Sequence, residues 1–144
     1  KMNKINIQRA KNISMDIARA LAYMHNKCVI HRDLKPSNIL LTASGRVKVS
    51  IFKPTEETGT SRYMAPEVIR NEEYNSSVDI YSFGLILYTL CESLKTIPKF
   101  RRLKKRHPLK MLIEDCWSSI PNLRPSAMDV IESLELTYFN KCCG

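Results

Sequence analysis

Between His31 and Asn38 the chain reads HRDLKPSN, which sets a carboxylate, an ammonium group and a carboxamide within six positions of one another. Asp33 can accept a proton, Lys35 can neutralise a developing anion, and Asn38 offers an oxygen to a hard cation. The same residue types are also common in ordinary polar turns between a helix and a strand. Immediately after the run stand three apolar residues, Ile39, Leu40 and Leu41. Asp33, Lys35 and Asn38 therefore lie where a helical stretch hands over to a strand.

The elements that must position this loop can be read from hydrophobic spacing. Ile7, Ala10, Ser14, Ile17, Leu21 and Met24 recur every three or four residues, which predicts a helix ending near Asn26. His25 on that helix has no second ligand nearby in sequence and reads as a structural or surface histidine. Ile39–Leu41 and Val47–Ile51 are short strands across a turn-rich connector containing Gly45, predicting a β-hairpin. Residues 54–61 read as a loop whose Thr55, Thr58, Thr60 and Ser61 carry phosphorylatable hydroxyls. Val68 and Ile69 suit a short helix. Val78 to Glu92 is apolar almost all round, as a central buried helix should be. Pro108 to Ser118 predicts another helix, with Trp117 as a core anchor, and Ser126 with Asp129 resembles a capping box opening the last helix. Residues 137–144 read as a tail.

Length and composition suit one globular domain. The 144 residues are 44% hydrophobic and 26% charged, which excludes fibrous and disordered classes. Lys and Arg outnumber Asp and Glu by 23 to 14, an excess concentrated in Lys99, Arg101, Arg102, Lys104, Lys105 and Arg106. Specific nucleic-acid binding is not expected, because no reader motif accompanies this run. The basic run admits a nuclear location or a tether to an anionic surface; a cytoplasmic, intracellular location is the primary expectation. Cys28, Cys91, Cys116, Cys142 and Cys143 show no metal-ligand spacing; three lie in apolar helical contexts, which fits a reducing compartment. No transmembrane segment is expected, since the longest apolar run falls short of the roughly 20 residues needed.

Taken in order, HRDLKPSN, GTSRYMAPE from Gly59, DIYSFG from Asp79, CW at Cys116 and Trp117, and RP at Arg124 and Pro125 resemble the C-terminal lobe of a protein kinase. The resemblance is strongest over residues 7–136 and has the flavour of Raf-like serine/threonine kinases in the tyrosine-kinase-like group. It implies a mainly α fold with a small β-hairpin, the large lobe of the kinase-like fold, truncated and without the N-terminal lobe. By resemblance Asp33 is the base that orients the substrate hydroxyl, Lys35 neutralises the transferring phosphoryl group, Asn38 binds magnesium and Thr60 supports Asp33 and Lys35. His31 and Arg32 are structural, Asp79 holds the loop backbone, and Glu67 pairs with Arg124. ATP and magnesium are the implied cofactors, and a protein substrate or signalling partner the implied partner.

The sequence departs from the family where magnesium should bind. Ile51, Phe52 and Lys53 align with the family's DFG, so Ile51 replaces its Asp. The activation segment from Ile51 to Glu67 and the stretch around residues 93–107 are short, and nothing before Ile7 encodes the Gly-rich loop or the ATP-anchoring Lys. The expectation is a serine/threonine kinase domain impaired or inactive as this chain, or alternatively a pseudokinase-like binding module or scaffold. The latter predicts an N-lobe partner or self-association through an exposed apolar upper face.

Overall fold

The computed structural model describes residues 7–51, 60–92 and 107–139. Helix α1 (Ile7–Asn26) leads through the loop to β1 (Ile39–Leu41) and β2 (Val47–Val49), then α2 (Pro66–Ile69), α3 (Ser77–Cys91), α4 (Lys110–Cys116) and α5 (Ala127–Phe139). Short 3-10 turns sit at Pro36–Asn38, Thr60–Tyr63 and Pro121–Leu123. The described architecture is mainly α with one antiparallel hairpin.

Helix α3 is the centre of the molecule. Every residue from Val78 to Thr89 is buried, so no face is left for water. Helices α1 and α5 close one side through Ile17, Leu21, Val130 and Leu134, and α4 closes another through Leu112, Ile113 and Cys116. Gly84 is required where α3 meets α4, because a Cβ there would lie 2.6 Å from the Cβ of Cys116. Trp117 is half-buried and packs edge-on against Tyr88, with ring centroids 5.3 Å apart.

The buried stripe of α1 is wider than the expected one. Ile13, Met15 and Ala18 join Ala10, Ser14, Ile17, Leu21 and Met24, because helices pack on this one from more than one direction. Ser14 satisfies its hydroxyl within the helix by donating to Ala10 O at 2.8 Å.

The hairpin pairs Ile39 with Val49, Leu40 with Lys48 and Leu41 with Val47. Gly45 takes φ +79 in its turn, a region that favours glycine. Asp16 on α1 fastens the hairpin by accepting from Arg46 Nε and Nη2 and from Val47 N, all at 3.0 Å. The second strand stops at Val49, short of the expected Ile51. Ser50 still donates its N–H to Asn38 O at 2.8 Å, while Ile51 lies beyond the pairing.

At the other end, Ser126 Oγ accepts from Asp129 N while Asp129 Oδ2 accepts from Ser126 N, so the shorter Asp closes the capping box. Helix α5 then continues through Phe139, into the stretch read as tail. Helix α4 begins at Lys110 rather than Pro108. Among the cysteines, Cys116 is buried and Cys91 partly so, whereas Cys28 is exposed at φ +57 just past α1 and is not a helical core residue. No described helix is long and apolar enough to cross a membrane. The basic run at residues 99–106 lies outside the described residues.

Candidate active site

The loop from His31 to Asn38 is held from below by one buried carboxylate. Asp79, in the first turn of α3, is 1% exposed. Its Oδ2 accepts from His31 N at 2.9 Å and its Oδ1 from Arg32 N at 2.9 Å. Arg32 takes φ +70, uncommon for a non-glycine residue and costing about 1–2 kcal/mol. The bonds to Asp79 offset that cost, since hydrogen bonds to a charged acceptor contribute about 1.5–3 kcal/mol each. The Arg32 side chain turns outward, its guanidinium 5.8 Å from the centre of the Tyr74 ring.

His31 links this floor to the hairpin. Its Nε2 faces Ser50 O at 2.8 Å and its Nδ1 faces Asp33 N at 3.3 Å. A carbonyl only accepts and an amide only donates, so the ring carries its proton on Nε2. One tautomer satisfies both bonds.

Asp33 is met on two sides. Lys35 Nζ lies 3.2 Å from Asp33 Oδ2, and both side chains are about nine-tenths buried. Asn38 Nδ2 donates to Asp33 O at 2.7 Å and to Asp33 Oδ2 at 3.2 Å. The 3-10 turn at Pro36–Asn38 swings Asn38 back over Asp33 five residues earlier. The fold therefore gathers Asp33, Lys35 and Asn38 into one constellation, with His31 and Asp79 beneath it.

A second polar pair stands behind the site. Arg124 Nη1 and Nη2 both donate to the Glu67 carboxylate, the latter at 2.9 Å. Arg124 also donates to Ser118 O at 2.9 Å and Ser77 O at 3.2 Å, and its guanidinium lies 4.9 Å from the Tyr81 ring centre. Burial pushes the Glu67 carboxyl up, but the Arg124 hydrogen bonds and charge outweigh it and hold Glu67 below its ordinary range. This pair ties α2 to the segment before α5.

One participant was not singled out as part of the site by its sequence position. His25 Nε2 lies 2.8 Å from Asp79 Oδ2, joining the last turn of α1 to the carboxylate under the loop. The available signal was indirect: an Asp in an otherwise apolar helix must find donors, and His25 is a polar residue at the near end of α1. Thr60 begins a 3-10 turn, but its side chain lies outside the described residues, as do Phe52 and Lys53.

Comparison with known proteins decides the lineage. Residues 1–134 match the protein kinase domain family. The chain belongs to the protein kinase family. It is 36% identical to serine/threonine-protein kinase VIK of Arabidopsis thaliana, over 88% of this chain and 37% of that protein. It is 33% identical to the Arabidopsis serine/threonine/tyrosine-protein kinase HT1, over 91% and 40%. Rat eukaryotic translation initiation factor 2-alpha kinase 3 is 34% identical over 85% and 14%. The chain thus spans well under half the length of these relatives. Its fold is that of the C-terminal lobe, and the Raf-like serine/threonine flavour of its motifs agrees with these relatives. The alignment with VIK runs over 162 residues, longer than the 144-residue chain, so VIK carries residues without counterparts here.

Membership of this kinase family implies ATP and magnesium, and the donor set can be tested for magnesium. The ion wants several hard oxygen ligands in octahedral array. Asn38 has one carboxamide oxygen to offer, and the exposed Ile51, which the resemblance aligns with the family's metal-binding Asp, has none. No cluster of three or more His, Cys, Asp or Glu suited to a metal occurs among the described residues. Among the described residues, the donors present do not fit a magnesium site.

Proposed function

We propose that this kinase-family chain works as a pseudokinase-like binding module, keeping the substrate-side loop of a serine/threonine kinase while carrying phosphoryl transfer poorly or not at all. One observation supports the reading: Ile51, which the resemblance aligns with the family's metal-binding carboxylate, is exposed and offers no oxygen. Kinase chemistry is chiefly positioning and charge neutralisation around bound metal, so its loss removes the largest electrostatic contribution. Lys35 offsets one charge but cannot bridge phosphates to a metal.

The binding role is supported by the surface beside the loop. Leu40, Leu41 and Ile51 are 50%, 49% and 67% exposed on the hairpin and just past it. Exposed large apolar side chains on the two faces of the hairpin favour a protein partner, either an N-lobe or a second copy. ATP binding, if it occurs, is expected to be metal-independent.

The competing reading is an active serine/threonine kinase acting on a protein hydroxyl. It is favoured by Asp33, correctly flanked by Lys35 at 3.2 Å and by Asn38. Labelled-ATP transfer to casein, measured for this chain and for Asp33→Ala, separates the two. Equal background counts are expected. Transfer that Asp33→Ala abolishes would overturn the binding-module reading, as would a magnesium-dependent thermal shift with ATP.

A further inference from the structure

We propose that the cleft between the end of α1 and the starts of α3 and α5 docks an extended, uncharged peptide segment of a partner protein, through its backbone and one apolar side chain. The cleft encloses about 500 Å³, within the range of about 300–1,000 Å³ typical of ligand pockets. None of its lining residues comes from the His31–Asn38 loop or from the hairpin. It is therefore a second surface, independent of phosphate transfer and of the exposed leucines beside the loop.

The lining disfavours the other ligand classes. No Asp or Glu lines the cleft, so a cation finds no counter-charge there. The two lining residues able to carry positive charge are both turned to buried carboxylates, Arg124 to Glu67 and His25 to Asp79. A phosphate or carboxylate would find no free cation. No Phe, Tyr or Trp lines the cleft, so a nucleobase has no ring platform to stack on.

Neutral hydrogen bonding beside apolar surface remains. Asn26 from α1, Asn75 before α3 and Asn122 before α5 all line the cleft and are exposed. The carboxamides of Asn26 and Asn122 have no partner among the described residues, and Asn75 uses its Oδ1 alone, accepting from Ser77 N at 2.9 Å. A carboxamide presents a C=O and an N–H side by side, the same pair that a peptide unit presents, so one can bind the other twice. Ile80, Pro121 and Met128 supply apolar lining. Met128 is 65% exposed, and nearby in the chain Ile120 and Leu123 are 55% and 65% exposed. Main-chain hydrogen bonds with an apolar contact for one side chain are how proteins hold extended peptides.

The side-chain amides of Asn26, Asn75 and Asn122 and the Met128 methyl would be followed by NMR in the whole chain, during titration with acetyl-Ala-Leu-Ala-amide. These signals should shift together and saturate, with an affinity that added salt leaves unchanged. Acetyl-Ala-Glu-Ala-amide, acetyl-Ala-Lys-Ala-amide and adenosine monophosphate should bind more weakly. Asn26→Ala combined with Asn122→Ala, both at exposed positions, should weaken binding of the leucine peptide roughly tenfold at an unchanged thermal midpoint. Absence of a saturable shift would overturn the proposal. So would tighter binding of either charged peptide or of the nucleotide, or equal affinity in the double variant. Shifts confined to Leu40, Leu41 and Ile51 would also overturn it, while leaving the hairpin as the binding surface.

Discussion

The loop carrying Asp33 and the strand ending before Ile51 meet at two hydrogen bonds, His31 Nε2 to Ser50 O and Ser50 N to Asn38 O, yet they are furnished in opposite ways. On the loop side the backbone amides of His31, Arg32 and Asp33 all have partners, and the Asp33 carboxylate is engaged. On the strand side the pairing ends at Val49 and an apolar side chain stands in solvent. The difference arises from the part each region plays in folding. Asp79, His31 and Lys35 are buried polar groups, and leaving any without its partner costs about 1–3 kcal/mol or more. An exposed side chain at position 51 has no such partner in the fold, so its identity bears little on stability.

The largest expected effect tests the architectural half. Glu67→Ala would leave the Arg124 guanidinium, whose side chain is 0% exposed, as an uncompensated buried charge, at a cost of about 3–5 kcal/mol. A fall in the urea midpoint by that equivalent is the check, and retention of parent stability would break the comparison. The same pair predicts acid sensitivity. Because Glu67 is held below its unfolded value, its contribution is full above the ordinary carboxylate range and is lost as pH falls through the folded value. Urea midpoints should hold near neutrality and drop in acid, with a shallower drop in Glu67→Gln.

An intermediate effect is expected at the helix crossing that carries the site. Gly84→Ala places a methyl 2.6 Å from Cys116 Cβ and 3.3 Å from Trp117 N, so α3 and α4 must part. Overpacking of this kind costs about 1–3 kcal/mol, readable by calorimetry. The smallest effect on stability sharpens the other side. Ile51→Asp, at a 67% exposed position, should shift stability by no more than about 0.5 kcal/mol. If position 51 is the missing metal contact, the variant should gain magnesium-dependent protection in a thermal scan that the parent lacks. An equally silent variant would place the defect elsewhere.

Much of this molecule can be read along the chain because its signals are local. The three-and-four spacing of α1, the largely apolar run of α3, the turn around Gly45 and the Ser126–Asp129 box each depend on neighbours a few residues apart, and each forms where expected. The widened stripe of α1 and the early end of β2 were not readable, since both depend on what packs from elsewhere. The site divides in the same way. HRDLKPSN identifies its own chemistry and lineage, while the Asp79 bonds to His31 and Arg32 span 48 and 47 positions and the Glu67–Arg124 pair spans 57.

By itself, then, the sequence determined the family and the order of helices and hairpin, because residue identity and short-range spacing suffice for those. Only the tertiary structure decided that His25 reaches Asp79, that Lys35 and Asn38 both close on Asp33, and that Ile51 faces solvent. Those depend on how α1, α3 and the hairpin cross. Crossing geometry is set by the summed packing of side chains distant in sequence, which no local pattern records.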